Sequence, residues 1–140
     1  MTVDQISVFL ENKPGTLSQL TQALFDGNIN MRALSLADSK DFGIVRIIAD
    51  DPVKADEILK KEGLITLITP VIAVTVPDTA GSLDRILKVL ADNNVNVEYS
   101  YAFLSHEEDF ASLVLRVTDN DIASKVLADA GIELTGQNDL

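Results

Sequence analysis

The chain writes one junction twice. Residues 10–20 read LENKPGTLSQL and residues 76–86 read VPDTAGSLDRI; each leaves an apolar stretch through a polar residue and reaches glycine, a hydroxyl residue and leucine. A shift of 66 positions aligns Gly15 with Gly81, Leu17 with Leu83, Leu24 with Leu90, Asn28 with Asn94 and Asn30 with Asn96. A two-residue insertion near 105–108 moves the shift to 68. Asp41-Phe42 then meets Asp109-Phe110, Asp51 meets Asp119, Leu59 meets Leu127 and Gly63 meets Gly131. Similarity sustained over so much of a chain means two copies of one module. A length of 140 residues allows one ordinary domain or two small ones, and the repeat selects the second. Pro70 punctuates the apolar runs around it, so the expected modules are 1–69 and 70–140.

Both copies follow the same local grammar. Residues 5–10 and 71–76 are apolar runs of strand length. Leu17, Leu20 and Leu24 recur at helical spacing, as do Leu83, Ile86, Leu87 and Leu90. Gly27-Asn28 and Asn93-Asn94 can adopt positive φ and end those helices. Strands are predicted over 29–37, 42–49, 95–103 and 110–118, with links of hairpin length at 38–41 and 104–109. Pro52 suits the first turn of a further helix, whose buried stripe would be Ala55, Ile58 and Leu59, matched by Ala123, Val126 and Leu127. Gly63 and Gly131 stop these helices before last strands at 64–68 and 132–135. The order is βαββαβ, twice. Helices with one apolar stripe cover one face of an antiparallel sheet, which predicts an α+β fold of two ferredoxin-like modules. A core built from about 70 residues is thin, so the copies are expected to pack together.

Composition narrows the function by exclusion. A net charge of −11 repels phosphate backbones and anionic membranes, which argues against nucleic-acid and membrane partners. There is no cysteine for disulfides, thiolate catalysis or metal binding. The opening MTVDQISVFL lacks a basic segment and a long apolar core, and no apolar run spans a bilayer, so a cytoplasmic location is expected. His106, the only histidine, lies in the polar stretch SHEEDF and reads as a solvated loop residue, with no second histidine to share a metal. Asp119-Asn120-Asp121 lacks the glycine and distal glutamate of a calcium loop and reads as a helix start. Neither phosphate-binding glycine signature is present. Arg46, Arg116, Tyr99 and Tyr101 are strand residues expected to reach solvent or to pack. No catalysis, cofactor or metal is called for.

What is present is the repeated junction and an asparagine downstream of it. Asn12 precedes Asn30 by 18 residues, and Asp78 precedes Asn96 by the same 18. Unpaired backbone N–H groups and the helix dipole at such a junction favour a carboxylate, and an asparagine amide can serve either end of an amino acid zwitterion. The alternative from spacing alone is that Asn12 and Asp78 cap helices while Asn30 and Asn96 occupy turns.

The pattern of apolar strand, N-x-P-G-x-L, leucine-spaced helix and G-x-I-N or N-x-V-N resembles an ACT domain. The resemblance covers nearly the whole chain as two tandem copies, and DFGIVRIIADDP is its best-matched stretch. It implies a regulatory module that binds small ligands, mostly amino acids, between modules paired edge to edge into an eight-stranded sheet. The ligand-binding residues it implies are Asn12, Lys13, Pro14, Gly15, Thr16 and Asn30 in the first copy. In the second they are Asp78, Thr79, Ala80, Gly81 and Asn96. Serine-sensing members hold the ligand with asparagines at positions matching Asn12 and Asn30 and with a histidine where this chain has Leu10. The second copy departs further, with Asp78 for asparagine and Ala80 for proline. A carboxylate there repels a ligand carboxylate, so the two pockets are expected to differ, the first being the better kept. The expected protein is a non-catalytic homodimer that senses an amino acid. The alternatives are a regulatory subunit of an amino acid biosynthetic enzyme, such as acetolactate synthase, and a small ferredoxin-like enzyme.

Overall fold

The computed structural model describes residues 1–103 and 105–140. Its elements run β1 (Val3–Glu11), α1 (Thr16–Asp26), β2 (Met31–Asp38), β3 (Phe42–Ala49), α2 (Pro52–Lys61), β4 (Ile65–Pro77), α3 (Ser82–Asp92), β5 (Val97–Phe103), β6 (Phe110–Val117), α4 (Asn120–Asp129) and a short β7 (Glu133–Leu134), followed by a 3-10 turn at Gln137–Asp139. This is βαββαβ repeated twice, an α+β fold. The predicted link 104–109 begins at Leu104, which lies outside the described residues. The chain forms two compact units, Asp4–Thr69 and Pro70–Leu140, the latter including Met1–Val3.

In the first unit β3 lies between β2 and β1, antiparallel to both, with Phe9 opposite Ile44 and Glu11 opposite Phe42. Alternation along β1 sends Ile6, Val8 and Leu10 to one face. There they meet Val45 and Ile47 of β3, Leu20 and Leu24 of α1, and Ala55 and Leu59 of α2. The second unit repeats the arrangement with β6 between β4 and β5 and with β7 on β4. Its core joins Ile72, Val74 and Val76 to Ile86, Leu90, Leu115, Ala123 and Leu127. Each fully buried leucine or isoleucine contributes roughly 1.5–3 kcal/mol of transfer free energy, so these two clusters hold the units together.

The structure departs from the sequence reading in two places. The units divide at Thr69-Pro70 without a turn: β4 is one strand from Ile65 to Pro77. A residue before proline already favours extended backbone, and Pro70 is exposed, where its missing N–H costs no buried ladder bond. The end of α1 follows the reading of Gly27-Asn28: Asn28 takes the left-handed φ of 56° while Gly27 stays at −83°. Asn94, at 57°, does the same after α3. The last strand shrinks to Glu133–Leu134.

Candidate functional site

The four described α-helices begin in two ways. Those opening with Pro52 and Asn120 are capped by aspartates: Asp51 accepts from the Lys54 N–H, and Asp119 from those of Asp121 and Ile122, each at 3.0 Å. At the repeated junction the N-cap residues are Gly15 and Gly81, with φ of 89° and 94° and no side-chain cap. A glycine there lets the chain turn sharply from strand to helix while leaving the first N–H groups without a side-chain acceptor.

The junction loops are fastened by their neighbours. The Asn12 N–H donates to the Asp41 carbonyl at 2.9 Å, and the Asp78 N–H to the Asp109 carbonyl at 2.8 Å. The Asn12 amide also donates to the Ser39 carbonyl at 3.2 Å, so its side chain ties the loop to the hairpin and caps no helix. Thr16 Oγ1 donates to the Glu11 carbonyl at 2.8 Å, and Ser82 Oγ to the matching Pro77 carbonyl at 2.6 Å.

A cleft opens beside each loop. In the first unit about 330 Å³ is lined by Phe9, Leu10, Glu11, Lys13, Thr16, Gln19, Phe42 and the segment Gly63–Ile65. In the second, about 320 Å³ is lined by Val76, Pro77, Thr79–Ser82, Arg85, Ile86 and Ile132. The residues correspond closely: Leu10 with Val76, Thr16 with Ser82, Gln19 with Arg85, and Leu64 with Ile132. Their chemistry does not. Lys13 pairs with Glu11 at 3.0 Å beside the first cleft, where the second has Thr79 and Pro77. In the second, the Arg85 guanidinium reaches the Ala130 carbonyl.

Asn30 is not brought to Asn12. Its backbone pairs with Asp50, its N–H reaching the Asp50 carboxylate at 3.1 Å, and it borders a separate cleft with Thr21, Gln22, Phe25 and Met31. The 11 residues of α1 stand between the two asparagines, a rise of about 16 Å. Asn96 likewise sits past the far end of α3, donating its N–H to Thr118 Oγ1 at 3.2 Å.

A family model described as an ACT domain pair matches residues 1–140. The chain belongs to the ACT domain pair family. Among solved structures similar to this ACT pair is a Bacteroides thetaiotaomicron protein, 37% identical over 99% of this chain and 95% of that one, with a TM-score of 0.93. The regulatory subunit of aspartate kinase from Thermus thermophilus is 17% identical over 91% of each chain, with a TM-score of 0.63. Its counterpart from Thermus flavus is 16% identical over 91% of this chain and 92% of that one, with a TM-score of 0.61. At those identities the Thermus subunits show a shared fold. No curated protein matches the sequence.

Elsewhere in the ACT pair, His106 is exposed. Among the described residues no cluster could hold a metal ion, and no helix is long and apolar enough to cross a membrane. Of the residues expected to bind ligand, Lys13, Thr16, Thr79, Ala80 and Gly81 line the two junction clefts. Sequence reasoning passed over Phe9, Glu11, Gln19, Phe42, Ile65 and Arg85. One signal was available: Gln19 and Arg85 follow the junction glycine by one helical turn and so share its face.

Proposed function

We propose that this ACT pair is a non-catalytic regulatory protein that binds an amino acid at the strand-to-helix junctions. The observation that carries the reading is the contrast among helix starts. Aspartates satisfy the first N–H groups of α2 and α4, whereas glycine leaves those of α1 and α3 without a side-chain acceptor, and a cleft adjoins each. The N–H groups of Thr16 and Ser82 turn back to the Lys13 and Thr79 carbonyls, and the donors that follow them, with the helix dipole, favour a carboxylate. A ligand held by both Asn12 and Asn30 has to draw them from two modules, since α1 separates them within one. That supports a homodimer in which the ligand biases how modules pack, as it can only by favouring one arrangement over another.

A thermal-shift screen of the intact chain against the twenty amino acids tests this. A ligand at 100 times its Kd adds about 2.7 kcal/mol, a shift of several degrees for a chain of this size. Asn12→Ala should weaken that response. No shift with any amino acid would count against the reading. The fold shared with aspartate kinase regulatory subunits favours a second reading, a regulatory subunit of an amino acid biosynthetic enzyme. Recovery of such an enzyme with the tagged chain from its source cell, dependent on the bound amino acid, would support it.

A further inference from the structure

The first cleft has Phe42 where the second copy has Phe110, but it differs where its other exposed apolar and charged residues stand. Phe9 is 45% exposed, Phe42 58% and Ile65 70%, and all three line it. The register places Glu11 opposite Phe42, on the same strand face as Phe9, so two aromatic rings flank one carboxylate. Large apolar side chains gathered at a concave site and left in water are stabilised by any apolar group that covers them. The counterparts of Phe9 and Ile65 in the second copy are Thr75 and Glu133.

The polar part of the cleft is an ion pair. Glu11 and Lys13 meet at 3.0 Å with their side chains 62% and 61% exposed. An exposed pair of this kind is screened by water and contributes little, so separating it to admit a ligand costs little. The two groups then present one carboxylate and one ammonium beside an apolar wall. That is the complement of a zwitterion carrying an apolar side chain. Pro77 and Thr79 stand at these positions in the second copy, which cannot offer the same pair.

We infer that the first cleft selects a free amino acid with a large apolar side chain. Lys13 receives its carboxylate, Glu11 its ammonium, and Phe9, Phe42 and Ile65 its side chain. The inference rests on the amino-acid-binding reading above and adds which amino acids, which module and which residues. The second cleft has a cation, Arg85, but no carboxylate in its lining to receive the ammonium, and it is not expected to take such a zwitterion.

Calorimetric titration of the intact chain tests it with phenylalanine, serine, phenylalaninamide and N-acetylphenylalanine as probes. Phenylalanine should bind at least about tenfold more tightly than serine, because several methylene equivalents are buried. Lys13→Met should weaken phenylalanine about three- to tenfold and leave phenylalaninamide, which lacks the carboxylate, unchanged. Glu11→Gln should weaken phenylalanine similarly and leave N-acetylphenylalanine unchanged. Phe42→Ala should weaken phenylalanine and Phe110→Ala should not. Circular dichroism of each variant separates lost binding from lost folding. Serine bound as tightly as phenylalanine, or either charge variant weakening all the probes alike, would overturn the inference while leaving amino acid binding intact. Binding of no amino acid at all would overturn both.

Discussion

Gly15 holds its left-handed φ of 89° in open space, with no heavy atom within 4 Å of where a Cβ would stand. The whole cost of Gly15→Ala is therefore backbone strain, about 1–2 kcal/mol, and Gly15→Asn should cost less because asparagine tolerates that region. Urea denaturation of the three proteins gives the order. Gly27 is the opposite case: its φ is ordinary, but a Cβ would collide with Cδ1 of Ile58. Gly27→Ala forces the end of the half-buried Ile58 side chain to shift and should cost up to about 1 kcal/mol, and adding Ile58→Val, which removes that methyl, should recover part of the loss. Asp56 is a third local device. Burial opposes its ionisation, but hydrogen bonds from Lys60 and Thr66 and the charge of Lys60 outweigh burial and hold the carboxyl below its ordinary value. A depressed folded-state pKa contributes stability that is present above the ordinary value of 3.8 and is lost as pH falls through the folded value. Asp56→Asn should therefore flatten the fall in stability on acidification below about pH 4, read as Tm against pH. An unchanged profile would remove Asp56 from the account. Its counterpart is Ser124, so the second unit lacks this anchor.

Among the helices, α2 and α4 depend on one side chain each for their start. Asp51→Ala and Asp119→Ala should each cost about 1 kcal/mol in chemical denaturation, as loss of an aspartate N-cap does elsewhere. The strands and helices of both copies were legible because their signals are local. Alternation marks β1 and β3, and leucine spacing marks α1 and α3. The apolar stripe Ala55, Ile58 and Leu59 faces the core as its spacing requires. Pro70 stands where the two compact units divide, yet β4 runs through it, because an exposed proline in a strand removes no buried ladder bond. The asparagine pair shows a different limit of spacing. An interval of 18 residues recurs in both copies, but 11 of the first interval are helix, which carries its two ends apart.

For the molecule as a whole, the net charge of −11 is the term that no local device offsets. Its exposed ion pairs, Lys88 with Asp84 and Lys125 with Asp129 among them, are screened by water and contribute little. Added salt screens them, but it also screens the repulsion among many carboxylates, which is the larger effect here. Raising KCl from about 20 to 300 mM, where the Debye length falls below about 10 Å, should raise the Tm in the absence of ligand. A falling Tm would mean that the pairs dominate.

The repeat, the element order and the glycine junctions were determined by the sequence alone, because each is written in neighbouring residues at a fixed period. The make-up of the clefts was decided by tertiary structure. The wall of the first joins the end of β1, the start of β3, the first turn of α1 and the residues leaving α2. Nothing local in the chain says that Phe42 stands opposite Glu11 or that Ile65 lines the same space as Phe9. The first follows from the sheet register, the second from where the chain goes after α2. Glu11, Lys13, Phe9 and Phe42 thus form one candidate site only because strand pairing and helix packing converge on the first junction, where the chain turns at Gly15.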